Sequence, residues 1–175
     1  GEEAFRLSPP TASRPRPASR PPMAPKTRER ILDVSLAMFN ERGEPNVTTN
    51  HIADELEISP GNLYYHFRNK EDIVEHLFAR YEARIDLALT VPEDRLPNLE
   101  DIWLQLHLAF EVMWDYRFIF RDLVDITSRN RKLRMHYART LRRATGNAMA
   151  VLKGLTEAGV MRASRAEIEA TANNI

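Results

Sequence analysis

Along most of this chain the apolar positions recur with the spacing of helices. Ile31, Leu32, Ala37, Met38 and Phe39 predict a first helix from Thr27 to Arg42, ended by Gly43. Ile52, Ala53 and Leu56 then stand at the i, i+1, i+4 spacing of one buried face, with Thr48 or Thr49 before them as a cap. Ser59 offers the next N-cap, and Pro60 takes the first helical position, where a missing N–H costs nothing. Two short helices with about three residues between them make a helix-turn-helix. On the second, Leu63 and Phe67 are four apart and turn inward, which sends Gly61, Asn62, Tyr65 and part of Tyr64 outward. Asn69 caps a further helix from Lys70 to about Leu89, with Ile73, Leu77, Tyr81, Ile85 and Leu89 spaced by fours.

Beyond it, Pro92 and Pro97 flank a loop. A helix from Leu99 to about Tyr116 gathers Trp103, Leu106, His107, Phe110, Met113 and Trp114 on one broad face. A short helix is expected from Phe118 to Ser128. A long one follows from the cap Asn130 to Ala158, stopped by Gly159. Ser164 and Glu167 form a capping box that opens a last helix. The fold class is all-α. Residues 1–25 hold seven prolines and no apolar period, so they are expected to be a disordered, Pro- and Arg-rich extension, with Met23 as a natural start.

The outward residues of the helix-turn-helix suit a nucleic acid. Gly61 lets a backbone approach closely, Asn62 pairs with a base edge or a phosphate, and tyrosine and histidine tips donate to phosphate oxygens. Lys70, read as an exposed lysine at a helix start, opposes the helix dipole and gains nothing from folding alone, which leaves a phosphate as its partner.

At these residues the chain resembles the TetR family of bacterial transcriptional regulators. Ile52, Ala53, Gly61, Leu63, Tyr64, His66, Phe67, Lys70 and Glu71 carry the likeness, which extends back over the first helix. The resemblance implies a three-helix DNA-binding domain at residues 26–70. A long helix would join it to a helical regulatory and dimerisation domain at residues 71–175, incomplete at its C-terminus because only the start of two dimer-forming helices is present. It implies DNA contacts from Thr49, Asn50, Gly61, Asn62, Tyr64, Tyr65, His66 and Lys70. It also implies repression, homodimerisation on a palindromic operator, and release by a small molecule held among the C-terminal helices.

Six of the 14 aromatic residues fall between Trp103 and Phe120. Such clusters are ordinarily core, but the resemblance makes Trp103, His107, Phe110, Met113, Trp114, Phe118 and Tyr137 a candidate pocket for an apolar or amphipathic effector.

Composition narrows the alternatives. No apolar run approaches the roughly 18 residues of a membrane span, and the chain has no cysteine, which suits a reducing cytoplasm; the resemblance implies a bacterial cytoplasm and the nucleoid. The five histidines show no metal-ligand spacing, and no nucleophile motif or phosphate loop is present, so no metal, cofactor or catalysis is expected. Net charge is zero, and residues 23–80 carry seven basic against ten acidic side chains. Seven basic residues and no acid lie between Arg129 and Arg143, read as a solvated face that balances the acids between Glu82 and Asp125. The rival to a regulator is a helical protein-interaction module.

Overall fold

The computed structural model describes residues 26–90, 95, 98–159, 162 and 164–174. The expectations for the first 25 residues and for the loop at Pro92 and Pro97 lie outside them. Every described element is helical: α1 (Thr27–Arg42), a 3-10 turn (Glu44–Asn46), α2 (Thr49–Glu55), α3 (Pro60–His66), α4 (Lys70–Ala88), α5 (Leu99–Asp115), α6 (Arg117–Arg121), α7 (Leu123–Arg129), α8 (Arg131–Glu157) and α9 (Arg165–Asn173). The caps fall where side-chain chemistry put them. Asn69, Asn130 and Ser164 each accept an N–H from three residues on, and Gly43 and Gly159 end their helices at positive φ, 88° and 72°. The single helix expected from Phe118 to Ser128 is two, broken at Asp122, which is turned away to accept the backbone N–H of Glu44 at 2.8 Å.

One core runs through both halves, from Ile31 and Phe39 on α1 through Leu63, Phe67 and the Ile73–Leu77–Tyr81–Ile85 stripe of α4 to Val112, Phe118, Ile126 and Leu133. On α1 the buried small residue is Ser35, whose hydroxyl donates to the Ile31 carbonyl at 2.6 Å; Ala37, expected among the apolar positions, faces solvent. A hydroxyl satisfied one turn back is tolerated in a dry site. α8 runs parallel to α4: Lys132 pairs with Glu75 at 2.6 Å, Thr140 donates to Glu82, and Arg143 pairs with Asp86 at 3.1 Å.

A second junction ties α1 to α6 and α7. Asn40, at the end of α1, donates to the Asp115 carbonyl at 2.7 Å and accepts the Phe118 N–H at 3.1 Å. Arg121 donates back to the carbonyls of Phe39 and Asn40. These polar side chains close off helix ends that would otherwise leave buried backbone groups unpaired.

Candidate nucleic-acid interface

The helix-turn-helix is assembled by three local devices. Thr48, not Thr49, caps α2: its hydroxyl accepts the His51 N–H at 3.2 Å while His51 Nδ1 accepts the Thr48 N–H at 3.3 Å. A histidine thus plays the part usually given to Glu in a capping box, a role the sequence reading did not assign to His51. At the turn, the Ile58 N–H bonds to the Ala53 carbonyl at 3.0 Å and the Glu57 N–H to the Asp54 carbonyl at 3.1 Å. This paired closure requires a left-handed residue after the C-cap. Glu57 is that residue, at φ 56°, where glycine would sit without strain. Ser59 then caps α3 by accepting the Asn62 N–H at 3.1 Å.

Leu63 and Phe67 are buried and pin α3 to the core beside Ile52 and Ala53. The Arg28 guanidinium lies 4.8 Å above the Phe67 ring, and the His76 ring meets its edge. The opposite side of α3 is open. Asn62 and Gly61 are exposed, Tyr65 is 84% exposed and Tyr64 49% exposed. A Cβ placed on Gly61 would meet only Ser59 Oγ, at 3.9 Å, so nothing inside the fold requires a glycine there. Tyr64 Oη and Thr49 Oγ1 are 3.0 Å apart and hold α2 against α3, while Asn50 stands free on α2 and His66 is half-buried against Tyr65. Gly61, Asn62 and Tyr65 therefore lie on the side of α3 turned away from Leu63 and Phe67, with Tyr64 and Thr49 joined at its flank.

Lys70 is the correction. It was expected as an exposed cation, yet its ammonium is turned inward, donating to the Glu44 carbonyl at 2.9 Å and pairing with Glu44 Oε1 at 3.0 Å. The Glu44 carboxylate is only 2% exposed and also accepts from Arg129 at 2.6 Å. A buried carboxylate without cations would be far costlier than a lysine withheld from solvent. The exposed cation beside the reading helix is instead Arg68, 82% exposed, its backbone N–H donating to Asp72 at 3.0 Å. Partial burial raises the Asp72 pKa, but the Arg68 hydrogen bonds outweigh it and hold the carboxyl below its ordinary value. Arg68 was missed because it lies between Phe67 and the cap Asn69, in neither helical pattern.

The predicted pocket does not close. Trp103 and Trp114 are each 68% exposed, Phe110 is exposed beside them, and His107 stacks on Trp103 with ring centroids 5.5 Å apart. Met113 is half-buried. Phe118 belongs to the core, its ring 5.3 Å from Phe39, and Tyr137 packs on Phe78. His107, Phe110 and Trp114 line only an open depression with Glu111 and Asp115. α5 has apolar residues on several sides, so periodicity could not choose its buried side; contact with α4 falls to the Val112 side. A separate groove of about 190 Å³ lies between α4 and α8, lined by Glu75, His76, Phe78, Lys132, Leu133 and His136 among others. None of the predicted pocket residues lines it.

Residues 31–77 match a family model described as bacterial regulatory proteins of the tetR family, and residues 80–175 match one described as bacterial transcriptional repressor. A crystal structure of a TetR-family transcriptional regulator from Marinobacter aquaeolei is similar at 43% identity and a TM-score of 0.82, over 85% of this chain and 74% of that one. The HTH-type transcriptional repressor KstR2 of Mycolicibacterium smegmatis is 37% identical over 101 residues, 53% of this chain and 44% of the repressor. A Staphylococcus aureus HTH-type transcriptional regulator, SAR2658, is 30% identical over 65% of this chain and 60% of its own length. The chain thus spans roughly half the length of these two curated relatives.

Proposed function

The chain belongs to the TetR family of bacterial transcriptional regulators, and on that premise we propose that it is a sequence-specific repressor that reads a palindromic operator as a homodimer. The observation that carries the reading is the division of α3: Leu63 and Phe67 are spent on the core, while Gly61, Asn62 and Tyr65 are left exposed to solvent. A side of a helix kept polar, small and aromatic, and flanked by the exposed Arg68, fits the major groove and its phosphate rims. Asn62 and Tyr65 read bases or position the helix, Asn50 and Thr49 contact the backbone from α2, and Tyr64 and His66 complete the rim.

One helix of seven residues spans too few base pairs for useful specificity, and two-fold symmetry doubles the contacts. The exposed aromatic side of α5 supports a partner for this chain's C-terminal half, since such surfaces are seldom left open in solution. An apolar or amphipathic effector would act through differential affinity for two arrangements of the reading heads. A coupling of about 1–3 kcal/mol changes operator affinity roughly 5- to 150-fold. α4 belongs to both halves, and the Asn40–Arg121 junction gives α6 and α7 a second hold on α1. The protein would work in the bacterial cytoplasm, on the nucleoid.

The test is fluorescence anisotropy with the duplex flanking its own gene against a scrambled duplex, over a range of salt. Specific, salt-sensitive binding that weakens in Tyr65→Ala and Asn62→Ala supports the proposal. Equal weak binding to both duplexes overturns it in favour of an interaction module.

A further inference from the structure

The basic run of α8 splits into two populations that the sequence could not separate. Arg129, at the end of α7, and Lys132 and Arg143 on α8 pair with Glu44, Glu71, Glu75, Glu82, Asp86 and Asp125. Arg131, Arg134, Arg139 and Arg142 are exposed and have no ion pair among the described residues. At 100° per residue these four fall within about 140° of one another, with the exposed Met135 between them and Leu141 at the edge of the arc, across from buried Leu133 and Thr140.

The fold gains little from this face. The first turn of α8 carries Arg131, Lys132 and Arg134 with no acid, so positive charge is gathered at the positive end of a helix dipole. A polyanion reverses that disadvantage. The place of the helix selects which one. α8 begins beside the first turns of α4, next to the helix-turn-helix: Arg129 reaches Glu71 at 3.6 Å, and Asn130 and Lys132 reach Glu75 at 3.0 and 2.6 Å. Glu75 is five residues along α4 from Lys70, a rise of about 7 Å, so α8 starts within two helical turns of the helix-turn-helix. The head itself is acid-rich, with ten acidic against seven basic residues between 23 and 80, so attraction to phosphates must be drawn from elsewhere.

We propose that the outward face at the start of α8, Arg131 and Arg134, is a second DNA-backbone contact outside the helix-turn-helix, with Arg139 and Arg142 extending the positive field above it. This rests on the DNA-binding reading and adds a surface to it. Phosphates are the occupant because the face has charge without the Asn or Gln groups that read base edges. Its contribution is therefore independent of sequence and steep in salt.

The experiment measures the binding of a labelled random-sequence duplex of about three helical turns by anisotropy across a salt series. It compares the unaltered chain with Arg131→Gln/Arg134→Gln, with Arg139→Gln/Arg142→Gln, and with Tyr65→Ala. Removing two phosphate contacts from each protomer of the dimer lowers the slope of log affinity against log salt by about 4, whereas the Arg139/Arg142 pair lowers it by less than about 2 because no contact is lost. Melting temperatures stay unchanged in both arginine variants, which excludes misfolding. A slope in Arg131→Gln/Arg134→Gln equal to that of the unaltered chain, with DNA still bound, overturns this inference alone. Binding of polyglutamate that those substitutions abolish, with DNA affinity untouched, also overturns it and points to an acidic protein partner. Failure of the unaltered chain to bind any duplex overturns the regulator reading together with it.

Discussion

Glu57→Gly should stabilise this protein, against the usual direction of glycine substitutions. Glu57 sits at φ 56° in the turn between α2 and α3, fixed there by the bonds of Ile58 to Ala53 and of Glu57 to Asp54. An L-residue with a Cβ in the left-handed region costs about 1–2 kcal/mol. Glycine removes that cost but loses about 0.4–1 kcal/mol through the greater freedom of the unfolded chain. The Glu57 side chain is exposed and has no ion pair among the described residues, so no contact is forfeited. The net gain is about 0.5–1 kcal/mol, and because head and body share one core it should raise the melting temperature of the whole chain by roughly 1–4 °C. The assay is thermal unfolding by circular dichroism, with Glu57→Ala as control. Alanine keeps the Cβ and removes the same charge beside Asp54 and Glu55, so it isolates electrostatics from backbone strain. A Glu57→Gly melting temperature at or below that of the unaltered chain, or an equal gain in Glu57→Ala, would refute the reasoning.

Three further outcomes are expected. Gly61→Ala should leave folding intact or stabilise it by about 0.5–1 kcal/mol, since its Cβ meets open space within a helix, while weakening operator binding several-fold; undiminished DNA affinity would show that no close backbone approach occurs there. Glu44→Ala should destabilise by about 3 kcal/mol in urea unfolding, because it leaves the part-buried Lys70 without its carboxylate and takes one of three carboxylates from Arg129. In a cycle with Lys70→Ala the two effects should fall short of their sum by more than about 1 kcal/mol, and strict additivity would disprove the pairing. Burial, assisted by the neighbouring Tyr137, Glu82 and Asp86, pushes the Tyr81 phenol up to about 12 from 10.0. The folded chain then holds that proton more tightly than the unfolded one, so stability is full below pH 10 and falls as pH rises toward 12. Denaturant titrations should show a shallower loss in Tyr81→Phe, and identical pH curves would remove Tyr81 from the account.

What was legible in the chain was whatever depends on neighbours within a turn or two. Asn69, Asn130 and Ser164 cap because their side-chain oxygens reach N–H groups three residues on, and Gly43 and Gly159 stop helices because they tolerate positive φ. The inward pair Leu63 and Phe67 fixed the outward set on α3 by helical geometry alone. Other features were decided by contacts remote in sequence. Lys70 turns away from solvent because Glu44, 26 residues before it, is buried and needs cations. The aromatic side of α5 is exposed because Val112, on another side of a helix with apolar residues on several sides, meets the core. Asn40 and Arg121, unremarkable in the helical pattern, seal one helix end against another across 81 residues. Periodicity identifies a helix and its polar side when one side is polar; which of two apolar sides is covered, and which charge is neutralised, follows only from the elements that arrive from elsewhere in the chain.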